Sequence, residues 1–204
     1  DELVAGLAEH PHVAVLSDEI YARMVYDGEP HASLTAYPEL RDRLILLDGW
    51  SKTYAMTGWR IGWGVWPRDL APLATRLAIN VNSCVNAATQ WAGIAALEGP
   101  EDEVDAMMTA FDARRLRIEE RLNDLPGVRC SRPKGAFYAF PNIEGTGLTA
   151  REAQDRWLAD TAVAVIAVTS FGANGEGFVR FSYAAALDRI EEALDRIRGW
   201  LEAR

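Results

Sequence analysis

Lys52 and Arg60 stand in the segment Gly49-Trp50-Ser51-Lys52-Thr53-Tyr54-Ala55-Met56-Thr57-Gly58-Trp59-Arg60. A partly desolvated lysine amine can attack a carbonyl and form a Schiff base. A guanidinium offers a rigid fork suited to a pair of phosphate oxygens. Upstream, Ser17-Asp18-Glu19-Ile20-Tyr21 supplies a carboxylate and a phenol. Taken singly, Asp18 reads more readily as the cap of the following turn and Tyr21 as a packed ring.

These side chains need a scaffold. Val13-Ala14-Val15-Leu16-Ser17 and Leu44-Ile45-Leu46-Leu47 are apolar runs of the kind buried on both faces in a parallel sheet. Both reactive groups would lie just past strand carboxyl ends, where open α/β sheets place their ligands. Together the four residues match what pyridoxal phosphate requires. It needs a lysine for the aldehyde, a carboxylate that keeps the pyridine nitrogen protonated, a donor near the phenolic oxygen and a cation for the phosphate.

The pattern along the chain divides it into residues 1–98, 99–124 and 125–204. The first part alternates strands at 13–17, 44–48 and 61–66 with helical patterns at 3–10, 69–79 and 87–98. Gly99-Pro100 ends it. A charged helix over 101–123 carries a stripe of Val104, Met108, Phe111, Ile118 and Leu122. After Leu125-Pro126-Gly127, strands are expected at 128–131, 136–140, 164–168 and 178–182. Thr149 and Glu152 have capping-box spacing for a helix through Trp157. The terminal helix shows a seam of Leu187, Ile190, Leu194, Ile197 and Leu201.

With 204 residues, 49% of them hydrophobic, the chain can bury a sizeable core. A net charge of −9 argues against a nucleic-acid surface. No apolar run reaches the roughly 18 residues of a membrane span, and no signal peptide is visible. Cys84 and Cys130 read as reduced thiols of a cytoplasmic protein. His10, His12 and His31 read as solvated loop histidines, with no metal site expected. Trp63 and Trp66 flank an apolar strand and are expected in the core.

The segments Ser17–Tyr21, Ser51–Gly62, Gly135-Ala136-Phe137-Tyr138 and Val179-Arg180-Phe181-Ser182-Tyr183 resemble, in order and spacing, the class I/II aminotransferases of the aspartate aminotransferase superfamily. The resemblance implies an α/β fold of the pyridoxal-phosphate-dependent transferases (fold type I). Part of a large, mainly parallel cofactor domain would be followed by a bridging helix and a small α+β carboxyl-terminal domain. It implies that Lys52 carries the Schiff base and shuttles the substrate proton. Asp18 would pair with the pyridine nitrogen, Tyr21 with the phenolic oxygen, and Arg60 with the phosphate alongside the Ser51 hydroxyl. Arg180 would take the substrate α-carboxylate.

The implied reaction moves an amino group between an amino acid and a 2-oxo acid, in a cytoplasmic homodimer. Asn80-Val81-Asn82-Ser83 reads as a loop available for the dimer contact. The same constellation serves carbon–sulfur β-lyases and aminocyclopropane-carboxylate synthases. A transcriptional regulator with an aminotransferase-like domain is the rival of another class. Gly49 replaces a hydroxyl that some relatives use for phosphate, and Ala167-Val168 replaces Pro-Gly ahead of Phe171-Gly172. Relatives run to roughly twice this length, so an amino-terminal half that completes the site is expected to be missing.

Overall fold

The computed structural model describes residues 1–204, which form two compact units, Asp1–Val104 and Asp105–Arg204. In the first unit the elements are α1 (Glu2–Ala8), β1 (Val15–Asp18), β2 (Leu44–Gly49), β3 (Gly62–Val65), α2 (Ala71–Asn82) and α3 (Ala87–Glu98). Strand order is β1-β2-β3. β1 runs parallel to β2 with Asp18 opposite Leu47. β3 returns antiparallel to β2 with Gly49 opposite Gly62. A Cβ on Gly49 would lie 2.9 Å from the Gly62 Cα and 3.0 Å from the Ile61 carbonyl oxygen, so only glycine permits this approach just before the lysine.

Val4, Leu40 and Leu44 form a buried cluster, with Leu7, Val15, Leu34 and Tyr37 packed around it. Arg43 fastens the end of α1 by donating to the carbonyls of Leu7 at 2.8 Å and His10 at 2.6 Å, where the helix leaves acceptors unpaired. Two expectations fail in this unit. Asn80-Val81-Asn82 is the last turn of α2 and not a loop, and the Asn80 side-chain amide donates back to the Arg76 carbonyl at 2.7 Å. Trp63 and Trp66 are 42% and 37% exposed, because β3 pairs with β2 alone and its own residues face solvent.

The long helix α4 (Asp102–Asn123) begins at the boundary. The second unit then adds β4 (Tyr138–Ala139), α5 (Ala150–Thr161), β5 (Ile166–Ala167), β6 (Val179–Ser182) and α6 (Leu187–Glu202), with sheet order β4-β6-β5 and antiparallel pairing throughout. Trp157, Val179, Phe181, Tyr183, Ile190, Leu194 and Ile197 are buried. The capping box forms as its spacing predicts: Glu152 N–H donates to Thr149 Oγ1 at 3.2 Å, and Thr149 N–H to Glu152 Oε2 at 3.0 Å. Across α4 and α6, Arg117 pairs with Glu191, and Arg121 with Glu191 and Asp195.

Strands here are shorter than the apolar runs suggest. Residues 128–131 make only a single bridge, Arg129 to Asn142. The Asn123 side chain takes the Cys130 N–H and gives to its carbonyl, both at 2.9 Å, so these backbone groups are satisfied without a ladder. β4 is confined between Ala136, at φ 56°, and Pro141, which lacks an N–H. The chain turns into a 3₁₀ helix at Val168–Phe171, which ends β5.

Candidate active site

Asp18 closes β1, and the Lys52 segment follows β2 directly. Parallel pairing therefore brings both to the same edge of the sheet. After Gly49 the chain winds tightly: Tyr54 N–H donates to the Trp50 carbonyl, Ala55 N–H to that of Lys52, and Trp59 N–H to that of Met56. Thr53 and Met56 are buried and anchor this loop. Ala55 at φ 51° and Arg60 at φ 53° occupy the left-handed region, where a side chain is strained by about 1–3 kcal/mol. Arg60 Nη1 donates to the Thr57 carbonyl at 2.9 Å, which fixes the guanidinium against its own turn.

A cleft of about 500 Å³ is lined by Asp18, Tyr21, Asp48, Gly49, Ser51, Lys52, Arg60 and Gly62, among others. Five of the residues singled out in the sequence, Asp18, Tyr21, Ser51, Lys52 and Arg60, thus share one concave site. Lys52 Nζ lies 5.8 Å from the centre of the Tyr21 ring. Asp18 Oδ1 also accepts from Ile20 N–H at 3.3 Å, so this carboxylate ends its own turn while facing the cleft. A more apolar cavity of about 340 Å³, lined by Leu44, Leu46, Val65 and Trp66 among others, holds none of these five residues.

Arg180 lies on β6 in the second unit, opposite Ile166. Its guanidinium carbon is 4.6 Å from the Tyr138 ring centre and 4.7 Å from that of Phe171. Aromatic contacts of this kind hold a guanidinium plane while leaving its N–H edge available.

Sequence reading missed a polar cluster beside Asp18. Glu19 is buried and accepts from Ser17 Oγ at 3.1 Å and Ser33 Oγ at 2.8 Å. His31 Nε2 lies 2.9 Å from Glu19 Oε2, so His31, an exposed residue in irregular chain as expected, also partners the buried carboxylate. Burial works against the charge on Glu19, but the hydrogen bonds from Ser33, His31 and Ser17 outweigh it and hold the carboxyl below its ordinary pKa. Burial pushes the Asp48 carboxyl up, with the nearby charges of Glu19 and Asp18 adding to the shift against a hydrogen bond from Gly49 N–H. The available signal was the spacing of Ser17 and Glu19, which places both on the same side of an extended chain.

An amine, a carboxylate, a phenol, a hydroxyl and a guanidinium around a cleft whose wall is thinned by the facing glycines fit a phosphorylated pyridine aldehyde. The structure has the fold of the pyridoxal-phosphate-dependent aminotransferases of fold type I. A solved aromatic aminotransferase from Pyrococcus horikoshii OT3 superposes with a TM-score of 0.93 at 36% identity, covering 100% of this chain and 54% of that one. Residues 1–197 match the sequence profile of the family described as aminotransferase class I and II, and the chain belongs to that family. The chain is 39% identical over 204 residues to an aspartate aminotransferase of P. horikoshii, covering 98% of this chain and 51% of that protein. It is 38% identical over 198 residues to an aspartate aminotransferase of Geobacillus stearothermophilus, covering 94% of this chain and 50% of that protein. The chain thus spans about half the length of the curated relatives it matches. No helix is long and apolar enough to cross a membrane.

Proposed function

We propose that this chain carries the lysine-bearing part of an aminotransferase that moves an amino group between an amino acid and a 2-oxo acid, with pyridoxal phosphate held in the cleft around Lys52. The convergence of Asp18, Tyr21, Ser51, Lys52 and Arg60 on one cleft carries this reading. The aminotransferase relatives support it. When bound, the cofactor supplies a conjugated electron sink for the substrate α-carbon.

This chain's residues then have separable tasks. Lys52 would hold the aldehyde through its amine and, as a free amine, carry the substrate α-proton as a positioned base. Asp18 keeps the ring nitrogen protonated by placing a negative charge beside it. Tyr21 donates to the phenolic oxygen. Arg60, with the Ser51 hydroxyl, binds the phosphate. Arg180, held against Tyr138 and Phe171, takes the substrate α-carboxylate as a two-point contact. We further propose that additional polypeptide completes the site, from the other half of a longer protein and from a second subunit.

The chain contains two lysines, Lys52 and Lys134, which makes the covalent test simple. Borohydride reduction with pyridoxal phosphate should attach a phosphopyridoxyl group to the peptide carrying Lys52. Lys52→Ala should abolish both this label and amino transfer. Label on Lys134, or undiminished label in Lys52→Ala, refutes the assignment.

A further inference from the structure

Glu19 occupies a position that the proposed chemistry leaves unused. It lies between Asp18 and Tyr21 in the chain, yet its own side chain is engaged with Ser17, Ser33 and His31. Its backbone N–H donates to the Leu47 carbonyl at 2.8 Å, continuing the parallel pairing one residue past the end of β1. The same residue is therefore pinned to β2 through its backbone and to the long β1–β2 connection through its carboxylate. Ser33 also bonds Thr35, through the hydroxyls at 2.7 Å and from the Thr35 N–H at 3.1 Å, so the far end of the tie is itself fixed.

A buried carboxylate is costly unless it is fully hydrogen-bonded, and here three side chains supply the bonds. Removing the acceptor would leave His31 and Ser33 without their shared partner and release the connection where it leaves the sheet. Asp18, its immediate neighbour, and Tyr21, two residues further on, would lose their fixed backbone. Small errors of this kind matter, because groups that hold a cofactor need supporting contacts behind them.

We infer that Glu19 is a positioning residue for the cofactor ring: clamped by His31, Ser17 and Ser33, it fixes the backbone that presents Asp18 and Tyr21 to the cleft. This deepens the proposed cofactor reading and rests on it. Arg60 and Ser51 belong to the other segment of the cleft, so the clamp should act on the ring and not on the phosphate.

The test is absorbance titration of the complete apoprotein, with the polypeptide that completes the site present, with pyridoxal phosphate and, separately, with pyridoxal, for the parent, Glu19→Gln, His31→Leu and His31→Gln. The visible band of the bound cofactor is followed against pH in each. Glu19→Gln and His31→Leu should weaken both ligands by a similar factor, about tenfold, and shift the pH midpoint of the band. His31→Gln, which keeps an N–H donor, should restore most of the loss. Arg60→Ala serves as the contrast and should weaken pyridoxal phosphate far more than pyridoxal. Parent-like affinities and midpoints in folded Glu19→Gln and His31→Leu, as judged by circular dichroism, overturn the positioning role and leave the cofactor reading standing. If Glu19→Gln does not fold, His31→Leu alone decides between these outcomes. A parent that binds neither ligand overturns the cofactor reading, and the positioning role falls with it.

Discussion

Helices α2 and α6 both carry a run of large apolar residues, but they use it differently. α6 buries Ile190, Leu194 and Ile197. α2 buries none of its residues and leaves Leu73, Leu77, Ile79 and Val81 exposed. The contrast extends to whole units. The second closes a core around Trp157, Val179 and Tyr183, whereas the first also exposes Trp91, Ile94 and Leu97 on α3 and Trp63 and Val65 on β3. Exposed apolar surface on this scale is of the kind found where proteins meet partners or ligands. The candidate catalytic lysine sits in the unit whose core is open, which fits a site that additional polypeptide completes.

The largest test of this contrast is Trp157→Ala. The side chain is fully buried and lies 6.0 Å, ring centre to ring centre, from Phe181. Its loss should cost about 3–5 kcal/mol, read as a lowered denaturant midpoint. Trp157→Phe should cost much less, because the indole N–H has no hydrogen-bond partner and removing it relieves an unpaired buried donor. If Leu73→Ala in α2 were as costly as Trp157→Ala, the first unit would have to be as well packed as the second, and the comparison would fail.

Thiol chemistry probes the same difference with a smaller effect. Cys84 follows α2 and is exposed, whereas Cys130 is buried. Burial, with the Glu119 charge adding to it, pushes the Cys130 thiol up to about 11. At pH 8 only about 0.1% of it would be thiolate. Ellman's reagent should therefore modify one thiol promptly, with the second slower by at least about a hundredfold until denaturant is added. Two fast thiols in the native protein would mean that the second core is open as well.

How far these features were legible in the sequence depended on whether the signal was local. Apolar runs placed β1 and β2, and Thr149 with Glu152 placed the start of α5, because the cap is made within four neighbouring residues. The α4 stripe was visible except for Arg115. That side chain is 1% exposed and donates to Asp112 at 2.8 Å and to the Pro133 carbonyl at 2.9 Å. A charge at a stripe position looks like a surface residue until its distant acceptor is known. The Glu19 cluster was hidden for the same reason, since its partners His31 and Ser33 lie in an irregular connection without periodicity. Trp63 and Trp66 misled in the opposite direction: an aromatic-rich strand looks like core, but burial depends on a neighbour that the strand itself does not specify.

The smallest expected effect is the most direct test of the open face. Leu77 is 64% exposed on α2. Leu77→Gln removes little apolar area from contact in the chain as it stands, so its stability should change by no more than about 0.5 kcal/mol. Glutamine is nearly as good a helix former as leucine, so helix propensity does not confound the result. In an assembly where α2 is covered, the same substitution would leave a polar amide against apolar side chains and cost about 1–3 kcal/mol. A loss of that size in this chain alone would show that α2 is already packed in solution, and a second copy would then be the first partner to look for.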